Sequence, residues 1–471
     1  MGARAINVHG ELAEISDAAL NELRMQLKGK VILPVDLDYD EVRKVWNGMI
    51  DQKPALIIRS AGVADVIYAV RFAKKFNLLI SVRGAGHNIA GRALHDDALL
   101  IDLSEMRAVF VDPVSKTLIA SPGATLADID HETQVYGLAL PLGINSTTGI
   151  SGLALGGGFG WLSRSLGLTS DNLLSAEVVT VEGERIVCDS ENHPDLFWGL
   201  SGGGGNFGIV TSFKFRLHSV GPMLFCGPVV FSMKEGKEVL QKYRDFCKEC
   251  PEELTVWAVL RHAPPFPFID AKNHGNPVII LVGVYNGPVD QGEECLVRLK
   301  SFGTALGDGL GPAPFEFFQK AFDPMLTPGA RNYWKSHNFI ELSDDLIDTL
   351  LQYAATLPSK ASEIFIGQMG GKTNAVEKDS TAYPHRDVNF IMNVHTRWID
   401  KVDDEPCIQW ARLLYEEAKP FSSGGVYVNF VSEGDDNVQG AYLQNARRLR
   451  ELKLAYDPEN ILRFNLNIVP R

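Results

Sequence analysis

Between residues 145 and 210 this chain carries glycine at a density that few folds can use. Gly152, Gly156, Gly157, Gly158 and Gly160 fall in NSTTGISGLALGGGFGWLSRSLGLTSDNL (145–173), and Gly202 to Gly205 and Gly208 fall in LFWGLSGGGGNFGIV (196–210). Each glycine inside a folded segment destabilises it by about 0.5–1 kcal/mol relative to alanine. A run of them is expected where backbone must lie flat against a large planar or phosphorylated ligand; the competing use is close packing of glycine-lined strands. A third cluster, RGAGHNIAG (83–91), directly follows an apolar, strand-like run. Gly84 and Gly86 allow consecutive N–H groups to converge on one anion, a nest suited to a pyrophosphate. It is not the dinucleotide fingerprint. No G-x-G-x-x-G opens a helix, and no acidic residue follows about twenty positions on in the right context.

Charge narrows the ligand further. The net charge of −13 over 471 residues, with no run of Lys/Arg, argues against nucleic acid, which needs a concentrated basic surface. An anionic cofactor must then be held by backbone N–H groups. No segment approaches the roughly 18 apolar residues of a membrane span, and the charged N-terminus does not read as a secretory signal. Six Cys are too few and too irregular for a disulfide framework, and the Cys247/Cys250 pair lacks the second pair or His cluster of a metal site. A cytoplasmic location and no bound metal are expected.

Hydrophobic periodicity organises the chain. Residues 54–59 read as a strand, 63–77 as a helix and 78–84 as a second strand, one βαβ unit ending in the glycine turn. Strands follow at 99–104, 108–113 and 117–123, then a short helix at 126–137, a hairpin at 175–190 and an alternating strand at 207–218. Beyond about residue 218 the glycine thins out. Strands such as 276–287 and 389–400 alternate with helices near 234–250, 290–306, 343–357 and 404–418. The end reads as a strand at 424–431, a helix at 444–457 and a Pro/Asn-rich tail.

Taken in order, VRGAGHNIAG, DLSEMRAV, GLALPLGINSTTGISGLALGGGFGWLSRSLGLTSDNLLSAEVVT, HPDLFWGLSGGGGNFGIVTSF and YDPENILRFNLNI resemble the berberine bridge enzyme-like family of FAD-linked oxidoreductases, within the vanillyl-alcohol oxidase superfamily. The resemblance runs along nearly the whole chain and is weakest across about 220–380. It implies an α+β fold: a PCMH-type FAD-binding domain (1–217), a substrate domain of mixed or antiparallel sheet covered by helices (218–424), and a C-terminal segment (425–471) returning to the FAD domain. In the family the His of R-G-x-G-H is bonded to the flavin 8α-methyl, which here is His87. Its flanking backbone, Arg83, Gly84, Ala85, Gly86 and Asn88, would cradle the pyrophosphate. Asn145, Thr148, Gly149, Gly152, Gly156 and Gly157 would line the other side of the cofactor. Asn206, Ile209 and Val210 match later flavin and adenine contacts, and Asn465 and Asn467 match the N-x-N-I ending near the isoalloxazine edge.

Three positions depart from the family pattern or decide between its variants. Asn145 stands where doubly tethered members carry Cys, and it cannot form a thioether, so the resemblance implies a single link. At Thr148 the family tends to carry Val in oxidases and Leu in poor oxygen reactors; Thr is close to Val in size, which favours an oxidase. Many relatives end the substrate wall with Y-x-N-Y, whose second Tyr is the base. This chain reads Tyr427-Val428-Asn429-Phe430, so that phenol is missing. Hydride loss from an alcohol benefits from a base, whereas an amine needs only its own lone pair. Substitute candidates lie on the 389–400 strand, where alternation puts Asn393, His395 and Arg397 on one face, and at Tyr427. His385-Arg386 matches an H-R pair read as structural. The expected activity is oxidation of a small CH–OH or CH–NH substrate by covalent FAD, with O2 reduced to H2O2. The rivals are a dehydrogenase using another acceptor and a non-redox flavin scaffold.

Overall fold

The computed structural model describes residues 2–432, 434 and 437–470. Its first half is built on two sheets. In the four-stranded sheet the order is Lys30–Ile32, Leu56–Arg59, Leu99–Asp102, Ile80–Arg83, the last three parallel. The expected βαβ unit is present, with helix Val63–Lys75 as its crossover, but Leu99–Asp102 is inserted between its two strands. All four residues of that inserted strand are buried, as a central parallel strand requires. The five-stranded antiparallel sheet runs Arg185–Cys188, Leu173–Val179, Ile209–Arg216, Thr117–Ala120, Val109–Asp112. The hairpin turns at Gly183, as expected, and helix Leu126–Gln134 starts on a Thr125–Asp128 capping box.

From Met223 a single eight-stranded antiparallel sheet takes over. Its path is Ala305–Asp308, Met223–Ser232, Pro277–Tyr285, Leu254–His262, Glu363–Gln368, Phe390–Trp398 and Arg331–Phe339, with Gly311–Pro314 also paired to Met223–Ser232. Both faces are buried, which explains the nearly continuous apolar runs. Phe225, Val229, Phe231, Met392 and Val394 point toward helices Gly236–Glu249, Asp344–Ala354 and Asp404–Ala418. On the other face Cys226, Val230, Trp257, Val282, Phe365 and Ile391 meet Phe159, Trp161 and Leu168 from the glycine-rich half. The second face decides the function, because it closes over the glycine loops.

The C-terminal stretch packs back on the five-stranded sheet through Val426, Tyr442, Leu449, Leu452 and Leu466. The helix is Ala446–Tyr456. The strand expected at 424–431 is not formed. Phe430 N–H donates to the Tyr427 carbonyl at 2.9 Å and residues Val428–Phe430 turn as a short 3-10 helix. An extended strand would put residues 427 and 430 on opposite faces; the turn brings both rings to one side, 4.9 Å apart. Lys453 and Asp457, both fully buried and 2.7 Å apart, tie this helix down, with Lys453 also donating to the Asn206 and Leu462 carbonyls. Among the described residues no helix is long and apolar enough to cross a membrane.

Candidate active site

A cavity of about 310 Å³ lies where the glycine loops meet the sheet face that does not carry the three long helices. One wall is the loop that follows strand Ile80–Arg83. Gly84, Ala85, Gly86, His87 and Asn88 all face the cavity. The loop is held in shape from behind. Asn88 Oδ1 accepts from the N–H groups of Ala90 and Arg92, and the Gly86 carbonyl accepts from Trp46 N–H at 3.0 Å. Arg83 does not line the cavity, contrary to expectation. Its guanidinium is buried in a bidentate pair with Asp102 (3.1 and 2.6 Å) and caps the Val42 and Lys44 carbonyls, so it is a strut under the loop.

Opposite stand Asn145, Thr148, Gly149, Gly152 and Gly156, while Gly204, Gly205, Asn206, Ile209, Val210 and Asn465 close the far end. Two glycines show why the density is needed. A Cβ on Gly149 would stand 2.8 Å from Ala85 Cβ and 2.9 Å from Ala85 N, so the two cofactor-side loops could not meet. A Cβ on Gly152 would meet no protein atom within 4 Å, although Gly152 lines the cavity. Protein packing therefore does not demand glycine at 152, which opens onto the free space of the cavity. Gly157 and Asn467, both expected to touch cofactor, lie outside the wall. A Cβ on Gly157, where φ is +108°, would stand 2.9 Å from the Tyr383 ring, and Asn467 lies in an irregular tail where the strand period that would keep it beside Asn465 does not apply.

His87 Nε2 lies 2.7 Å from Thr147 Oγ1, and the ring stacks on Trp46 at 5.1 Å. The proton positions follow from the neighbours. Asn145 Nδ2 donates to the Leu326 carbonyl and its Oδ1 receives Thr147 N–H, so the amide orientation is set. The Thr147 hydroxyl must then give its one proton to Asn145 Oδ1, 2.7 Å away. It can only accept from His87 Nε2–H. Burial pulls the imidazole down to about 3, so at neutral pH Nδ1 carries a bare lone pair.

The sheet supplies Glu363, Phe365, Asn393, His395, Trp257 and Trp334. Asn393 and His395 line the cavity together, as their alternation predicts. Arg397, next on that face, hydrogen-bonds Thr327 and lies over the Trp46 ring. His395 Nδ1 lies 3.3 Å from Glu363 Oε1 and Nε2 lies 3.1 Å from Asn332 Oδ1. Asn332 Nδ2 donates to the Ala330 carbonyl, which leaves its oxygen facing His395. Both ring nitrogens therefore face acceptors. Burial lowers the imidazole, opposed by the Glu363 carboxylate. For Glu363 burial acts upward, but Arg261 at 2.6 Å and His395 outweigh it and bring the carboxyl to about 2. Tyr427 Oη accepts from Gly158 N–H (3.1 Å) and Asn429 Nδ2 (2.9 Å), and burial raises the phenol to about 12. His385 and Arg386 sit elsewhere, in structural contacts with the Ala441 carbonyl and Asp171.

Several lining residues carry no local sequence signal: Trp46, Trp334, Glu363, Phe365 and Tyr442. A buried Glu beside an Arg in a neighbouring strand could be inferred only with the strand register, which pairs Arg261 with Glu363 directly. The site suits a flavin dinucleotide. It offers a backbone-lined loop for phosphates and an open floor at Gly152. Four buried polar atoms in its wall lack partners among the described residues: Asn206 Oδ1, Asn393 Oδ1, Trp257 Nε1 and Trp334 Nε1.

Fold and site define an FAD-dependent oxidoreductase. A family model described as "FAD binding domain" matches residues 54–189, and one described as "Berberine and berberine like" matches 426–469. An FAD-linked oxidoreductase of Dictyostelium discoideum is 31% identical over 96% of this chain and 97% of its own length. The (R)-6-hydroxynicotine oxidase of Paenarthrobacter nicotinovorans is 28% identical over 95% of this chain and 98% of its own. The crystal structure of 6-hydroxy-D-nicotine oxidase from Arthrobacter nicotinovorans superposes with a TM-score of 0.84 at 27% identity, covering 94% of this chain and 98% of that one. The chain belongs to the berberine bridge enzyme-like family of FAD-linked oxidoreductases.

Proposed function

We propose that this protein is an oxidase that holds FAD through a single bond to Nδ1 of His87 and oxidises a small amine at a CH–NH carbon. When bound, FAD supplies the hydride acceptor and returns the electrons to O2, giving H2O2. The observation that carries the amine reading is the absence of a usable base at the cavity wall among the described residues. A base needs a free lone pair aimed at the substrate proton. Glu363 is ionised, but its two oxygens are taken by Arg261 and His395, and both nitrogens of His395 face Glu363 and Asn332. Tyr427 keeps its proton at neutral pH because its phenol is raised to about 12. Phe430 has no hydroxyl, and Asn393 is an amide. An alcohol would have to lose its O–H proton unaided, whereas a neutral amine loses hydride on the strength of its own lone pair.

The remaining wall residues position the substrate. Asn393 Oδ1, buried and unpartnered, accepts a substrate N–H; Trp334 Nε1 donates to any acceptor beside it. The Glu363–His395–Asn332 chain holds the wall rigid and keeps charge fixed behind it. The nicotine oxidase likeness in sequence and fold supports the same substrate chemistry. For the tether, Thr147 and Asn145 keep the Nε2–H tautomer, which leaves Nδ1 as the nucleophile; Asn145 also removes the second attachment point. Acid precipitation of the holoenzyme is expected to give a yellow pellet and His87→Ala a colourless one. Anaerobic mixing with primary and secondary amines is expected to bleach the flavin while matched alcohols leave it oxidised. Bleaching by alcohols alone would sink the amine reading.

A further inference from the structure

A second cavity, of about 280 Å³, lies on the same sheet face beyond the flavin site. The two share Ile144, Trp257, Leu326, Glu363 and Phe365 in their walls, so they are adjoining chambers with a common partition. The lining of the second is apolar and aromatic: Trp161, Val282, Phe268, Phe318 and Phe322 among others. Among the described residues its only charged lining residues are Arg261 and Glu363, paired to each other at 2.6 Å, so they present no net charge. The indoles of Trp161 and Trp257 stack at 3.9 Å, and neither Nε1–H has an acceptor among the described residues. Phe317, 69% exposed, stands in the same wall and marks where it reaches the surface.

We propose that this chamber receives the apolar arm of the substrate, an alkyl or aryl group carried on the molecule whose reacting carbon sits in the flavin cavity. The inference deepens the proposed function by naming a substrate class: an amphipathic molecule with its oxidised CH–NH at one end and an extended hydrophobic body at the other. The chemistry of the wall excludes the alternative of a sugar chain. Each hydroxyl proton entering a chamber whose described side chains offer no free acceptor would lose its hydrogen bond to water without replacement, and two indole N–H groups cannot serve the many oxygens of a sugar chain. The arm has room for one acceptor, an ether, carbonyl or phenol oxygen, to meet an orphan indole N–H. The shared partition explains why Glu363 is pinned by two partners: an unpaired carboxylate between the chambers would repel the arm.

The test is a ligand series against the wild-type holoenzyme. Primary n-alkylamines and n-alkanols from C4 to C12 are mixed anaerobically with the holoenzyme; Kd is read from the flavin absorbance spectrum where the flavin stays oxidised and from saturation of the reduction rate where it bleaches. In either series Kd is expected to tighten about 3- to 4-fold per methylene until the chamber is full. Val282→Phe, which fills the chamber from the sheet, should remove that gain for long members and leave C4 binding unchanged. A Kd that stays flat with chain length in both series overturns the proposal from the wild-type protein alone. So does a Val282→Phe variant that weakens short and long ligands equally. The amine reading is judged separately, by which series reduces the flavin, so tight binding of long alkanols without bleaching supports the chamber whatever becomes of the chemistry.

Discussion

Replacing Glu363 with Gln isolates one buried ion pair and gives it a pH signature. The carboxyl titrates at about 2 in the folded chain against an ordinary value of 4.5, with its side chain 13% exposed. At 1.36 kcal/mol per pH unit that difference contributes about 3 kcal/mol of stability. The sign follows from the depressed value. The contribution is fully present above pH 4.5 and is lost as pH falls toward 2, where the folded carboxyl takes up its proton. By pH 3 about 2 of the 3 kcal/mol is gone. The variant retains the shape but not the charge, and Arg261 is left without its carboxylate. At pH 7 Glu363→Gln is therefore expected to be less stable than the parent by about 3 kcal/mol. Urea unfolding of both holoenzymes between pH 7 and pH 3 measures it: the gap should close by about 2 kcal/mol across that range. Two profiles that stay parallel would refute the account of Glu363, and with it the fixed charge behind the substrate wall.

Two further outcomes follow from other parts of the molecule. Thr147→Val removes the acceptor for His87 Nε2–H, worth about 1 kcal/mol, and lets the wrong tautomer compete. Covalent FAD incorporation into apoprotein, followed as acid-stable flavin, should slow roughly 2- to 5-fold; an unchanged rate would show that Thr147 does not set the tautomer. Lys453→Met leaves Asp457 buried and two carbonyls without their donor, which should destabilise the chain by about 3–5 kcal/mol. Thermal unfolding and flavin release checks this, and the double variant with Asp457→Asn should recover part of the loss.

Much of the site was legible because it is local. The loop 84–88 follows its strand in consecutive residues, and the glycine at 149 marks a close approach to Ala85 that leaves no room for a Cβ. The alternation that joins Asn393 to His395 is likewise a property of one strand. The failures have one cause. Arg83, Gly157 and Asn467 lie beside residues that do face the cavity, but neighbourhood along the chain does not say which way a side chain or, at Gly157, the backbone itself turns. The 424–431 segment carries β-branched and aromatic residues, yet one backbone hydrogen bond from Phe430 to Tyr427 is enough to turn it.

By its own residues, then, the sequence determined which glycine loops line the cavity proposed to hold the flavin and that His87 stands among them. It also determined that the base expected at Phe430 is missing, since no packing can supply a hydroxyl that the chain does not encode. Tertiary structure decided whether anything else could replace that base. His395 and Tyr427 carry titratable groups, and only the register of three strands and a turn brings Glu363, Asn332 and Gly158 into bonding distance of them. The proton affinity of a side chain is set by what surrounds it in space, and those surroundings arrive from positions tens to hundreds of residues away.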